Sequence, residues 1–67
     1  MSDFLGRRDG IWCYVRRVPT EFADLDRRGI IKLSTKARIA DDPRAIRARK
    51  VVRRLNADTE TYWHDLQ

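Results

Sequence analysis

Ile11-Trp12-Cys13-Tyr14-Val15-Arg16-Arg17-Val18-Pro19 is the stretch that decides how this chain reads. Its β-branched and aromatic content predicts a strand, whose successive side chains point to opposite faces. One face would carry Ile11, Cys13 and Val15, small and apolar; the other would carry Trp12, Tyr14 and Arg16. A half-buried strand is normally apolar on one face and polar on the other. The small apolar face is therefore expected to meet the core, with two rings and a guanidinium turned outward. The opposite phase stays open, with Trp12 and Tyr14 in the core and the Ile11 face outside, because aromatic residues are common in strands.

Working outward, Asp9-Gly10 precedes this strand and suits the positive φ angles of a two-residue hairpin turn. A first strand is expected over residues 3–8, anchored by Phe4 or Leu5. Pro19 has no N–H and ends the pairing. Residues 20–26 read as a turn of helix or an irregular crossing, with Phe22 and Leu25 closing one edge of the core. Arg27-Arg28-Gly29 then turns into a third strand over 30–35. Its Ile31 and Leu33 are expected on the covered face together with Ile11, Cys13 and Val15, and Ile30, Lys32 and Ser34 on the other.

Asp42 as N-cap and Pro43 as first helical residue predict a helix over 43–66. Ala45, Ala48, Val52, Leu55, Thr59, Tyr62 and Leu66 form its apolar stripe, flanked by Val51 and Trp63. At 1.5 Å per residue it would reach about 36 Å, longer than three short strands cover. The end bearing Tyr62, Trp63 and Leu66 is expected to overhang. The predicted fold class is α+β, a three-stranded antiparallel sheet packed against one long C-terminal helix in β-β-β-α order.

A chain of 67 residues makes one small domain, which buries only roughly 60% of its unfolded surface. Cys13 is the lone cysteine, so no internal disulfide can staple it. Nothing resembles a signal peptide or a membrane span, and a cytoplasmic location is expected. The helical pattern meets no Gly or Pro stop before Gln67, which suggests a longer parent protein.

The net charge is +5, with a pI near 10.1. Residues 44–54 hold Arg44, Arg47, Arg49, Lys50, Arg53 and Arg54 and no acid. Such a block makes the local field that attracts phosphates, although charge runs also occur as plain solvated faces. Together with an aromatic and basic strand it points to nucleic acid as partner. Catalysis has little to draw on: His64 and Cys13 are single and lie on different elements, and Asp41 and Asp42 read as capping residues. No His and Cys cluster suggests a metal, and three isolated glycines match no phosphate loop. No cofactor is expected, and no enzymatic activity from this chain alone.

A strand closing on Arg16-Arg17-Val18-Pro19, a later strand reaching Ser34-Thr35, and a helix whose last turns hold Tyr62-Trp63 and Leu66 resemble the N-terminal segment of phage-type integrases, the tyrosine recombinases. The likeness runs from about residue 10 to 66. It implies an arm-type DNA-binding domain that lays its outer sheet face in the major groove and leads into core-binding and catalytic domains. The family's catalytic Arg, His and Tyr would lie beyond residue 67; Tyr62 and His64 match no part of that motif.

On this reading Arg7, Arg8, Arg16 and Lys32 would contact phosphates or base edges of double-stranded DNA, and Trp12 and Tyr14 would lie against sugars or thymine methyls. Strand alternation selects these residues, and the resemblance supports the choice. The alternative is a protein-interaction module, its overhanging helix pairing with another helix or the next domain through Val52, Leu55, Tyr62, Trp63 and Leu66. An RNA-binding domain on the same plan shares the electrostatics.

Overall fold

Asp9 and Gly10 adopt φ of 52° and 77°, the left-handed pair that a type I′ hairpin turn requires. They join β1 (Leu5–Arg8) to β2 (Ile11–Arg17). The computed structural model describes residues 4–67; Asp3, expected to open the first strand, lies outside the described residues. A single 3₁₀ turn (Thr20–Phe22) follows Pro19, then β3 (Ile30–Arg38) and one helix, α1 (Ile46–Leu66). The sheet is antiparallel in the order β1-β2-β3. The α+β architecture is the expected one, and β3 runs three residues further than its β-branched core predicts.

The phase of β2 is the reverse of the expected one. Tyr14 is fully buried, and Trp12 is only 8% exposed. Register explains which residues accompany them. Leu5 and Leu33 flank Tyr14, Ile31 pairs with Arg16, and Arg7 pairs with Trp12, all on the side of the sheet that faces α1. Ile31 and Leu33 do face the helix as predicted. Their partners across β2 are Tyr14 and Arg16, while Cys13 and Val15 pair with Ser34 and Lys32 on the outer side. Two large rings remove more apolar area from water than Ile11, Cys13 and Val15 would, and burial free energy scales with that area.

Each buried ring also finds a partner for its polar tip. The Tyr14 hydroxyl donates to Asn56 Oδ1 at 3.1 Å, and the Trp12 indole N–H donates to the Asp42 carbonyl at 2.7 Å. Trp12 lies against Ala45 and Ala48, whose small side chains leave room for an indole beneath the start of the helix. Tyr14 packs with Val18, Phe22, Ile31, Val52 and Trp63, and Leu5 packs against both groups.

The helix begins at Ile46, not at 43. Asp42 still caps it, from further away: its carboxylate accepts the backbone N–H of Ile46 at 2.8 Å and of Ala48 at 3.0 Å. Pro43 and Arg44 form a turn, and Ala45 takes φ 57° to swing the chain into the helix. At 21 residues, α1 is about 31 Å long. Its last turns do not overhang. The chain after Pro19 folds beneath them, so Phe22 stacks on Trp63 with ring centroids 5.3 Å apart, and Trp63 is 1% exposed.

These positions order the cost of two neighbouring truncations. Removing a buried aromatic ring costs roughly 3–5 kcal/mol, most of the stability of so small a domain. Tyr14→Ala should abolish a cooperative thermal melt, whereas Val15→Ala on the outer side should lower the midpoint only modestly. A larger loss for Val15→Ala would place the core on the other face of the sheet.

Candidate nucleic-acid interface

The outer side of the sheet is built in rows fixed by strand register. Arg8, Ile11 and Arg38 lie across one row; Gly6, Cys13 and Ser34 across the next; Val15 with Lys32 and Arg17 with Ile30 complete it. Arg8, Arg17, Lys32 and Arg38 are exposed, and so is Ile30. Between the cations, Ile11, Val15 and Ile30 make an apolar strip. No carboxylate occurs in the three strands. Asp9, in the hairpin turn, is 3.9 Å from Arg8 with both side chains largely in solvent, a geometry that contributes little. Gly6 is needed on this face, since a Cβ there would stand 2.7 Å from Val15 Cγ2.

Of the six residues expected to contact DNA, two are on this face: Arg8 and Lys32. Trp12 and Tyr14 are core residues and cannot reach a duplex. Arg16 also points inward. Its guanidinium lies 4.7 Å from the centres of both the Phe4 and Trp63 rings, donates to Glu60 Oε1 at 2.9 Å and bonds to Asn56 Oδ1. Arg7 is exposed but sits over the Trp12 ring at 5.6 Å, on the helix side of β1. Arg17 and Arg38 take the places that alternation in the wrong phase assigned to Arg16. The signal for the right phase was present on the helix: Asn56 and Glu60, one turn apart, are the acceptors a buried arginine needs.

The apolar helix surface expected to pair with another helix is also corrected. Val52 and Trp63 are buried, and Leu55 and Leu66 pack against the same core. Tyr62 alone of the five stays exposed, 5.5 Å beneath the Arg28 guanidinium. The cause is Asp26, which reads as a surface acid but is buried. It accepts the Trp63 indole N–H at 2.9 Å and a forked pair of bonds from Arg28, and so ties the crossing segment to the end of α1.

Charge on α1 is polarised. The basic residues crowd its first turns, and Asp58, Glu60 and Asp65 lie in its second half. No acid occupies the first turn. In the first turn the helix dipole favours acids over cations by about 0.3–1 kcal/mol per charge at low salt, so Arg47 there does not serve helix stability. Among the described residues no cluster of His, Cys, Asp or Glu could hold a metal ion, and no helix is long and apolar enough to cross a membrane. A scan against protein-family models finds no match, and neither curated proteins nor solved structures yield one.

The hydrogen bonds from Arg28 hold the Asp26 carboxyl far below the usual carboxylate range, against the opposing effect of burial. Arg16 lowers Glu60 in the same sense. A depressed carboxylate stabilises the fold fully above its unfolded pKa, near 3.8 for Asp26, and that contribution is lost as pH falls toward the folded value. The melting temperature should hold steady from pH 7 to about 5 and drop below about 4. Asp26→Asn should lower it at neutral pH and flatten the acid limb; an unchanged acid limb would remove Asp26 from this role.

Proposed function

We propose that this chain binds double-stranded DNA by seating the outer face of its sheet in the major groove, as the N-terminal module of a site-specific recombinase. The observation that carries the reading is the cation-rimmed, carboxylate-free outer sheet surface of Arg8, Arg17, Lys32 and Arg38 around Ile11, Val15 and Ile30. Three strands spaced about 4.8 Å apart are about 10 Å wide, which fits a major groove about 12 Å wide. Cations at the rim would meet phosphates, and the apolar strip would meet thymine methyls.

The recombinase assignment rests on the sequence resemblance. It makes the chain a DNA-binding module that works in the cytoplasm beside core-binding and catalytic domains, with no catalytic residue or cofactor of its own. The sheet reading favours B-form duplex over RNA, because the deep, narrow major groove of A-form helices does not admit such a surface.

Arg17→Ala and Lys32→Ala should leave the thermal melt nearly unchanged, as solvated surface substitutions do. Each should weaken duplex binding and reduce the salt slope of the affinity by about one unit. Titration against duplex DNA at several salt concentrations measures both. Unaltered affinity and slope in the double variant would dismiss the sheet face as the contact surface.

A further inference from the structure

We propose that the solvent face of α1 is a second duplex-binding surface, so that one copy of the chain bridges two DNA duplexes; the first of these rests on the sheet-face reading above. Residues 43–57 contain no carboxylate. Arg44, Arg47, Lys50, Arg53 and Arg54 are all exposed, and none of them forms an ion pair among the described residues. Lys50 is two residues from Ala48 and from Val52, both buried against the sheet. At 3.6 residues per turn it therefore points directly away from the sheet, with Arg53 and Arg54 beside it.

Two further observations separate this surface from an ordinary solvated face. Solvated helices commonly interleave signs at positions three and four apart, whereas Arg47 with Lys50, and Lys50 with Arg53 and Arg54, are like charges that repel. Arg47 also stands in the first turn of the helix, where the dipole disfavours cations. Phosphates would relieve both penalties. From Arg47 to Arg54 the helix advances about 10 Å, the length over which one DNA strand presents about three phosphates.

The same duplex cannot satisfy both faces. The narrow dimensions of the domain are 18 and 21 Å, and the helix cations and the outer sheet face lie on opposite sides of the two layers. That separation is well beyond the Debye length of about 8–10 Å at physiological salt. A duplex seated on the sheet leaves Lys50, Arg53 and Arg54 facing away, free for another.

The test mixes the 67-residue chain with short donor-labelled and acceptor-labelled duplexes at low salt, and follows energy transfer together with sedimentation mass. The expected species contains one chain and two duplexes. Lys50→Glu combined with Arg54→Glu should keep a one-to-one complex, lose the energy transfer and lower the salt slope by about two units. Arg17→Glu with Lys32→Glu should also lose the transfer but keep a one-to-one complex through the helix. One-to-one binding that depends on the sheet alone, even in excess duplex, overturns bridging and leaves the sheet reading standing. Binding abolished by the helix reversal and untouched by the sheet reversal overturns both.

Discussion

Burying an arginine constrains a small domain more than burying a ring does. A guanidinium carries five N–H donors, and each one left unmet in a dry site is costly. The Arg16 side chain is only 15% exposed; its Nη1 donates to both Asn56 and Glu60, and the Phe4 and Trp63 rings lie against its guanidinium. Asn56 also takes the Tyr14 hydroxyl. One turn of α1 is thereby pinned over the middle of β2, and the rest of the helix has no freedom of register. Trp63 must then fall on Phe22 and Asp26, and Ala48 over Trp12. The outer face of the sheet is what this arrangement leaves uncovered.

Acids and cations are divided unequally between inside and outside. Asp42 caps the helix, Asp26 ties down Trp63, and Glu60 pairs with Arg16. Three carboxylates are thus committed to holding the fold, while the strand cations other than Arg16, and those of the early helix, stay in solvent. Two basic surfaces on opposite sides result, each with a field stronger than the net charge alone conveys.

The elements of the fold were legible because their signals are local. Positive φ at Asp9-Gly10, the missing N–H of Pro19 and a helical period act within a few residues. The phase of β2 was not legible, since each face of that strand offers one arginine and a plausible apolar set. Choosing between them requires acceptors about forty residues away in the chain. The candidate site was half legible for the same reason. Lys32 was placed on the outer face through the phase of β3; β1 offered no phase, so Arg7 and Arg8 were both chosen though only Arg8 lies outward, and Trp12, Tyr14 and Arg16 followed the wrong phase of β2. Asp42 was recognised as a cap, but its reach of four and six residues put the helix start in error.

Between Ile11 and Cys13 the ladder slips: two steps along β2 correspond to four along β3. Lys36 sits in the slip at φ 64°. Thr35 Oγ1 donates to the Trp12 carbonyl and accepts the Ala37 N–H, and Ser34 Oγ accepts the Lys36 N–H. This irregularity lies in the strand that has no neighbour on its far side. A straight nine-residue edge would offer other chains a template for sheet extension. The slip and its lysine interrupt that template near one end, and Lys32 adds charge further along. The distortion that sets Arg38, in place of Lys36, opposite Ile11 thus also shields a basic, apolar-stripped sheet from stacking edge to edge into aggregates.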